Sequence, residues 1–279
     1  MISFIVLSYN EEANVETAIG TVLRAARASE LDGFEIVAVD DGSTDRTGAI
    51  LKRLAAVHPQ IRIVTNDVNR GMGESFKRAL AVATCEHMLL VPGDNDMSFE
   101  MIRLLLSYRG AADVLLTFPI NTEERTVWRN VLSVLYRLFH VVAFRVFVNY
   151  VNAPSICSTA MMRSLPLHSQ RFSIIAEYNV KLLRSGCSFA EVPGFFQNPN
   201  RGKNRRTVTL KNFSEVVRSF LRLCIEIHIT DRARYNKTPR RVFIDFAGGT
   251  IAPPISLQRD VIAMSDRTVH PAGTSDARI

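Results

Sequence analysis

The sequence predicts an α/β fold, built on a mostly parallel sheet with helices on both faces. Short apolar runs rich in Val and Ile alternate with amphipathic helical patterns from residue 1 to about residue 118. Strands that are separated by helices in this way pair in parallel, since each helix carries the chain back across the sheet. With 279 residues, of which 47% are hydrophobic, the chain can also bury a sizeable core.

The elements of the first half follow one another regularly. The apolar runs predict strands at Ser3–Leu7, Phe34–Asp40, Ile61–Thr65, Glu86–Pro92 and Ala112–Thr117. The periodic patterns between them predict helices at Ala13–Ala28, Asp45–Val57, Met72–Ala83 and Phe99–Tyr108. Polar clusters begin where three of these strands end: "SYNEE", "DDGSTD" and "PGDNDMS". Ligands of such sheets bind at the carboxyl ends of the strands, so the three clusters are expected to converge there.

The second half, residues 119–246, has a different character. A helix within residues 119–151 carries Arg129, Ser133, Arg137 and His140 and is otherwise bulky and apolar over more than half its circumference. Such a helix suits a bilayer interface, although a helix buried on two sides would show the same pattern. A helix at Ile174–Ser185, a strand-like run at Ser188–Phe196, a basic segment and an amphipathic helix at Phe213–Ile229 follow. Residues 247–279 lack sustained periodicity and are predicted to form a flexible tail.

Composition narrows the class of protein. A net charge of +7 and a pI of about 9.5 favour an anionic partner, such as a membrane surface, a nucleic acid or a phosphorylated ligand. The arginines of residues 201–206 have no interleaved aromatic residues, which argues against a nucleic-acid partner. The four cysteines are widely spaced, and neither a signal peptide nor an apolar run of about 20 residues is found, so we expect a cytoplasmic protein, soluble or peripheral on the membrane.

Two aspartates one residue apart, Asp94 and Asp96, follow the fourth predicted strand. They have no adjacent basic residue, and their hard oxygen ligands suit Mg²⁺ or Mn²⁺ shared with a diphosphate. A simple turn uses the same residue types, so the pair alone does not distinguish a metal site from a turn. Two carboxylates, Asp40 and Asp41, stand at the end of the second strand, which is more than the capping of the next helix requires. Asp45 is interpreted as a cap of that helix.

The motifs resemble the inverting family-two glycosyltransferases of the GT-A fold. The resemblance rests on "IVLSYNEEANV", "VAVDDGSTDRT", "NRGMGESFKRAL" and "LLVPGDNDMSFEMI", and it covers residues 1 to about 118. A looser match, "AEVPGFFQNPNRGKNRR", is similar to the branch that makes polyprenyl-phosphate sugars, such as dolichyl-phosphate mannose synthase. The resemblance implies a nucleotide-sugar-binding half at residues 1–118 and an acceptor half with amphipathic interfacial helices at residues 119–246.

The resemblance also implies roles for individual residues. Asn10, Glu12 and Asp40 would hold the base and ribose of the nucleotide sugar, with Asp41 near the ribose or the metal. Asp94 and Asp96 would carry the divalent ion on the diphosphate, and Asn95 would contact the nucleotide. Arg129 and Arg205 would act on the charges of the diphosphate or of an acceptor phosphate.

Two departures from the family pattern bear on the acceptor. "NAPSICS" (Asn152–Ser158) replaces the family's "SGFR"-like stretch, and Asn204-Arg205 replaces its Ser-Lys. Arginine keeps the positive charge of the lysine, but its guanidinium is a planar fork and not a point charge. Glu177 lies where related enzymes place an acidic residue facing the acceptor. It would be the general base for a hydroxyl acceptor, and it would only orient a basic residue if the acceptor were an ionised phosphate. A solvated surface glutamate is the third reading.

The sequence therefore predicts a glycosyltransferase that moves a hexose or N-acetylhexosamine from a GDP- or UDP-linked sugar to polyprenyl phosphate, on the cytoplasmic face of a membrane. The basic segment and the apolar helix favour this lipid acceptor. One alternative is transfer to a glycan or other hydroxyl acceptor. Another is a protein that binds nucleotide sugars without catalysis.

Overall fold

The computed structural model describes residues 1–31, 33–121, 127–197 and 210–246, except for the side chains of residues 127–129 and 210–213. The predicted flexible tail, residues 247–279, lies outside the described residues.

Eight strands of the described residues form a single sheet. They are β1 (Ile2–Ser8), β2 (Phe34–Asp40), β3 (Ile61–Thr65), β4 (His87–Pro92), β5 (Val114–Pro119), β6 (Ser155–Ser158), β7 (Ser188–Gly194) and β8 (Arg240–Arg241). Their order in the sheet is β3-β2-β1-β4-β6-β5-β7-β8. All pairings are parallel except those of β6, which runs antiparallel to both β4 and β5. The predicted α/β class with a mostly parallel sheet is confirmed.

The helices of the first half begin and end within two residues of their predicted bounds. The helices are α1 (Val15–Ala28), α2 (Thr47–Val57), α3 (Met72–Val82), α4 (Phe99–Ser107), α5 (Val127–Phe144), α6 (Thr159–Arg163), α7 (Ser173–Arg184), α8 (Leu210–Ile225) and α9 (Arg232–Tyr235). A π-helical turn, Glu226–Thr230, continues from α8. The single predicted helix at Phe213–Ile229 therefore changes its hydrogen-bond pattern near its end.

Apolar side chains pack on both faces of the sheet. Alternate residues of β1 and β2, such as Ile5 and Val37, pack with Phe76 of α3 and Tyr178 of α7 on one face. Their neighbours in sequence point the other way and pack with α1 and α4 on the second face; this group includes Phe4, Val6, Ile36, Val22 and Ile102. This alternation follows from the two-residue repeat of a strand, and it explains why the strands are apolar almost throughout.

Strand β6 was not predicted from the sequence. Its residues belong to the "NAPSICS" stretch and insert between β4 and β5, with Cys157 opposite Met88 on one side and Ile156 opposite Leu115 on the other. A strand of four residues carries too little alternation to be recognised in a sequence. Because of this insertion, β5 lies two strands away from β4.

Helix α5 leaves most of its apolar surface exposed. Between residues 130 and 144 only His140 and Phe144 are buried, and both contact Phe220 of α8. The exposed side chains include Val131, Leu132, Val134, Leu135, Leu138, Phe139 and Val142, the last at 74%. The alternative that this helix is buried on two sides is therefore wrong for these residues. No helix in the described part of the chain is both long and apolar enough to cross a membrane.

Two helical glycines should respond in opposite ways to substitution by alanine. In Gly73→Ala, the new Cβ would lie 2.2 Å from the carbonyl oxygen of Ser169, so we expect a loss of about 1–3 kcal/mol in the free energy of unfolding. In Gly20→Ala, no atom lies within 4 Å of the new Cβ, and we expect a gain of about 0.5–1 kcal/mol from the higher helix propensity of alanine. Urea denaturation of both variants measures the two effects, and equal effects would contradict the close packing at Gly73.

Candidate functional site

The ends of β1, β2 and β4 lie side by side at one edge of the sheet, which we call the carboxyl edge. β1 lies between β2 and β4, and the three strands are parallel. The backbone amide of Asp41 donates to the carbonyl of Ser8 (2.9 Å), and that of Gly93 donates to the carbonyl of Leu7 (2.8 Å). The three polar clusters seen in the sequence are thus neighbours in space.

The loop after β1 interlocks with the loop after β2. Asn10 adopts a left-handed backbone conformation with φ 53°, and its side-chain oxygen accepts the amide of Thr44 at 2.8 Å. The backbone amide of Asn10 donates to the Ser43 hydroxyl at 3.0 Å. Glu12 accepts the amide of Arg46 (3.1 Å) and contacts its guanidinium (3.2 Å), and both side chains remain largely exposed. Asn10 and Glu12 therefore lie together at the carboxyl edge, and their implied contact with the base and ribose, like that of Asp40, stays a prediction.

Asp40 and Asp45 accept backbone amides of the segment that leads from β2 into α2. Asp40 is buried, and its carboxylate accepts the amide of Ser43 at 3.0 Å. Its second oxygen packs on Gly48, where a Cβ would lie only 2.4 Å away. Asp45 accepts the amide of Thr47, the first residue of α2, at 2.9 Å, but the N-cap position itself is Arg46, one residue later than predicted.

Asp41 holds the loop that leads into α3. The residue is only 4% exposed. One carboxylate oxygen accepts the amide of Arg70 (2.8 Å) and the side-chain amide of Asn66 (2.6 Å), and the other accepts the amide of Gly71 (2.9 Å). Three donors thus satisfy this buried charge within the protein. Its implied position near the ribose or the metal stays a prediction.

The loop after β4 buries Asn95 between two partly exposed aspartates. Asn95 has φ 60°, and its side chain contacts the Thr21 hydroxyl (3.3 Å) and the Gln197 side chain (3.1 Å). The amide of Asp96 donates to a carboxylate oxygen of Asp94 at 3.3 Å, so both acids belong to one tight turn. Because the Asn95 amide is engaged within the protein, its implied contact with the nucleotide stays a prediction.

The pair Asp94 and Asp96 matches the ligand set of a metal that is shared with a phosphorylated substrate. Both acids are half-buried at the carboxyl edge, one strand away from Asp40 and Asp41. Among the residues that the structure describes, no group of three or more His, Cys, Asp or Glu could hold an ion without further ligands. Mg²⁺ is commonly bound by one or two carboxylates together with substrate phosphates, so two carboxylates suffice for this mode of binding.

Glu177 lies in α7 and is buried, at 5% exposure, so the reading as a solvated surface glutamate is wrong. Its carboxylate accepts the amides of His168 (2.9 Å) and Ser169 (2.7 Å) and pairs with the Lys181 ammonium at 2.7 Å. Burial raises the pKa of Glu177, but the Lys181 charge and the hydrogen bonds outweigh burial and bring the pKa below its usual value. Its role as a general base stays a prediction.

Two of the residues singled out in the sequence lie outside the described part of the structure. These are Arg205 and the side chain of Arg129. Sequence reasoning also missed Lys181, the ion-pair partner of Glu177, and Glu226, which pairs with the same Lys181 ammonium at 2.6 Å. The spacing of four residues between Glu177 and Lys181 on one helix could have indicated the first pair. No local signal points to Glu226, which is 49 positions further along the chain than Glu177.

Comparisons with known proteins support the family resemblance. The family model described as glycosyl transferase family 2 matches residues 3–169. A dolichyl-phosphate beta-glucosyltransferase of Trichomonas vaginalis is 33% identical over 96 residues, which make up 33% of this chain and 28% of the relative. A poly-beta-1,6-N-acetyl-D-glucosamine synthase of Staphylococcus epidermidis is 30% identical over 105 residues, 36% of this chain and 24% of the relative. The match thus spans only about a quarter of the length of these relatives.

Solved structures share the fold. Mannosyl-3-phosphoglycerate synthase from Rubrobacter xylanophilus is similar with a TM-score of 0.62 and 17% identity, over 84% of this chain and 75% of that one. Glucosyl-3-phosphoglycerate synthase from Mycobacterium tuberculosis, in complex with Mn²⁺, UDP and glucosyl-3-phosphoglycerate, has a TM-score of 0.54 and 20% identity over 80% of each chain. At these identities the likeness shows the fold, and it confirms the predicted architecture.

The contacts of Asp41 predict that Asp41→Asn destabilises the protein. Asparagine would turn an N–H₂ group towards backbone amides that are themselves donors, so at least one buried donor would lose its acceptor. We expect the free energy of unfolding to fall by about 1–3 kcal/mol in urea denaturation. Asp67→Asn, the same change at an exposed position, serves as the control and should be nearly neutral. Equal effects of the two changes would show that the Asp41 contacts do not stabilise the loop.

Proposed function

This chain belongs to glycosyl transferase family 2, and we propose that it transfers a hexose or N-acetylhexosamine from a nucleotide diphosphate sugar to polyprenyl phosphate at a membrane surface. The observation that carries the proposal is the convergence of acidic residues at the carboxyl edge. Asp94 and Asp96 follow β4, which pairs with one side of β1. Asp40 is the last residue of β2, which pairs with the other side of β1, and Asp41 comes directly after it.

The donor would bind across the ends of β1 and β2. Asn10 and Glu12 lie there on a loop that is braced against residues 43–46, so their positions are set before a ligand arrives. The complex of glucosyl-3-phosphoglycerate synthase with UDP, a protein that shares this fold, supports a nucleotide-linked donor. Both UDP- and GDP-linked sugars remain candidate donors, because the described residues include no contact that selects one base.

Asp94 and Asp96 would hold Mg²⁺ or Mn²⁺ together with the donor diphosphate. When bound, such an ion would neutralise the charge that develops on the departing nucleoside diphosphate. Arg129 and Arg205 are proposed to act on the same charges. The buried Asn95 between the two acids, held by Thr21 and Gln197, would keep their turn in a fixed conformation.

The transfer itself needs little further chemistry if the acceptor is a phosphate. An acceptor phosphate oxygen forms a bond to the anomeric carbon, and the bond from that carbon to the diphosphate oxygen breaks. The bonding electron pair leaves with the nucleoside diphosphate, and one displacement inverts the configuration. An ionised phosphate has no proton to lose, so no general base is required. This agrees with Glu177, both of whose oxygens already accept hydrogen bonds within the protein.

The exposed apolar face of α5 supports a lipid acceptor. Leu138, Phe139 and Val142 are 54%, 63% and 74% exposed, and Phe147 after the helix is 68% exposed. A face of this kind can lie in the interface of a bilayer, where it loses its contact with water. The name of the dolichyl-phosphate relative supports the same acceptor class. We therefore propose a peripheral protein on the cytoplasmic face of a membrane.

Transfer to a glycan hydroxyl is the second candidate. The match to the poly-beta-1,6-N-acetyl-D-glucosamine synthase favours it. A hydroxyl acceptor requires a base, and Glu177 would have to give up a hydrogen bond from His168 or Ser169 to act as one.

The proposed activity predicts that one lipid-linked sugar forms and that turnover depends on Asp94 and Asp96. Purified protein is incubated with Mg²⁺ or Mn²⁺, pooled nucleotide sugars and a short polyprenyl phosphate, and we expect mass spectrometry to show one new lipid-linked sugar. Asp94→Asn and Asp96→Asn should each lower turnover by about 100-fold or more, because the leaving charge loses its stabilisation. Asp231→Asn, at an exposed position in the loop before α9, should leave turnover unchanged.

Three outcomes of this assay would contradict the proposal. Sugar transfer to a glycan without transfer to the lipid would favour the hydroxyl acceptor. Donor binding without turnover for any donor would indicate a binding protein. Full activity of both aspartate variants would exclude the metal site at Asp94 and Asp96.

The membrane proposal predicts that α5 drives binding to lipid vesicles. The double change Leu138→Ser and Val142→Ser removes two exposed apolar side chains and should weaken cosedimentation with phosphatidylcholine–phosphatidylglycerol vesicles by about 10-fold or more. Val57→Ser, at a similarly exposed valine of α2, is the matched control and should bind like the unchanged protein. Unchanged binding of the double variant would exclude α5 as the membrane contact.

A further inference from the structure

The residues before α7, at positions 166–171, lie directly on the first turn of α3. The amide of Gly73 donates to the carbonyl of Gln170 at 2.8 Å. There is no room for a side chain at this contact, since a Cβ on Gly71 would lie 2.6 Å from the carbonyl oxygen of Gln170. We call residues 166–171 the α7 leader. Its position is thus coupled to the loop that Asp41 holds at the carboxyl edge.

The other side of the α7 leader is held by three buried charged residues, which we call the ion cluster: Glu177, Lys181 and Glu226. Glu177 accepts the leader amides of His168 and Ser169, at 2.9 Å and 2.7 Å. The side chain of Lys181 is fully buried and pairs with Glu177 (2.7 Å) and Glu226 (2.6 Å). It also donates to the carbonyl of Pro166.

Glu226 links the ion cluster to the last helices. It belongs to the π-helical turn after α8, and its carboxylate contacts the imidazole of His168 at 3.0 Å and the guanidinium of Arg222 at 3.2 Å. Buried ionic groups are costly to desolvate, and one attested use of them is to select a single packing arrangement. Here the arrangement that they select is the position of the α7 leader.

The α7 leader ends in Arg171, which is half-buried beside Gly71. A Cβ on Gly71 would lie 3.3 Å from the Cγ of Arg171, so the stem of this arginine packs at the carboxyl edge. The backbone carbonyl of Arg171 accepts the amide of Ile174 at 3.2 Å, but its guanidinium has neither a hydrogen-bond nor an ion-pair partner among the residues that the structure describes. The acid that holds Gly71, Asp41, accepts backbone amides with both of its oxygens. The charge of Arg171 is therefore available to an anionic ligand.

We propose that the ion cluster, acting through the α7 leader, positions Arg171 to bind a phosphate oxyanion at the carboxyl edge. Arg171 is the ligand-binding residue, and Glu177, Lys181 and Glu226 are positioning residues. The inference rests on the proposed function for the identity of the ligand, which is either the donor diphosphate or the acceptor phosphate. A guanidinium suits both, because its planar fork matches phosphate oxygens.

The first experiment tests Arg171 by binding rather than by turnover. Calorimetry measures the affinity of the protein for UDP and GDP with Mg²⁺, for inorganic diphosphate and for geranyl phosphate. Arg171→Gln should weaken the binding of at least one of these by about 10-fold or more, and Arg171→Lys should weaken it less. Arg232→Gln, at an exposed arginine of α9, is the matched control and should have no effect.

Each result of this titration has a defined meaning. A loss with the nucleotides or diphosphate alone identifies the donor as the source of the oxyanion, and a loss with geranyl phosphate alone identifies the acceptor. If Arg171→Gln binds all four probes as tightly as the unchanged protein, or if the unchanged protein binds none, the inference is wrong. Binding of diphosphate without any sugar transfer would refute the proposed function and leave the inference standing.

The second experiment tests positioning by a double-mutant cycle. Glu177→Gln should weaken the binding of the same probe by about 10-fold in the unchanged protein, and should cause no further loss in Arg171→Gln. Amide exchange should become faster at residues 167–171 and at Gly71 to Gly73. Glu16→Gln, in the exposed ion pair with Arg53, is the matched control. Equal losses in both backgrounds, or unchanged exchange, would overturn the positioning role.

A second variant covers the case in which Glu177→Gln does not fold. Lys181→Arg keeps the charge but places a larger, planar group where the side chain is fully buried, so the α7 leader should shift and binding should weaken in the same way. Where turnover is measurable, the pH dependence of the rate decides between positioning and base catalysis. Positioning leaves the pH profile of Glu177→Gln unchanged, whereas loss of a general base removes one limb of it.

Discussion

The site depends on the hydrogen bonds that the buried carboxylate of Asp41 accepts from the backbone amides of Arg70 and Gly71. A buried carboxylate without donors would be very costly, so this residue and the loop before α3 must keep one relative position. The loop fixes the first turn of α3, and the α7 leader packs on that turn. One ion–amide contact thus relates the end of β2 to elements that lie about 130 residues further along the chain.

The acidic residues of the carboxyl edge fall into two groups by their burial. Asp40 and Asp41 are buried; Asp40 accepts an amide of its own loop, and Asp41 accepts amides of the loop before α3. Asp94 and Asp96 are half-buried, in a turn that the enclosed side chain of Asn95 holds in place. The first group stabilises the loops of this edge, whereas the second is the pair for which we propose metal binding. The same residue type therefore has two different proposed roles at this edge, and the degree of burial distinguishes the two pairs of aspartates.

The second half of the chain adds two features to this edge. Strands β6, β7 and β8 belong to the same sheet, so the second half of the chain is continuous with the first in its hydrogen bonding. Helices α5 and α8 pack together through the aromatic cluster of Phe139, His140, Phe144 and Phe220, and α5 turns the rest of its apolar surface outwards. The family match ends at residue 169, before the ion cluster, and the solved structures that extend further show only the fold, so any role of the ion cluster is argued from its own residues.

The sequence by itself determined the α/β class, the first five strands, the first four helices and the three polar clusters at the strand ends. These features depend on periodicity and on neighbours within a few residues, which a single sequence displays. Only the tertiary structure decided that β6 inserts between β4 and β5, that α5 exposes its apolar face, and that the buried Lys181 pairs with Glu226. Each of these depends on contacts between residues distant in sequence, and the free energies of burial and ion pairing that select such contacts leave no local pattern.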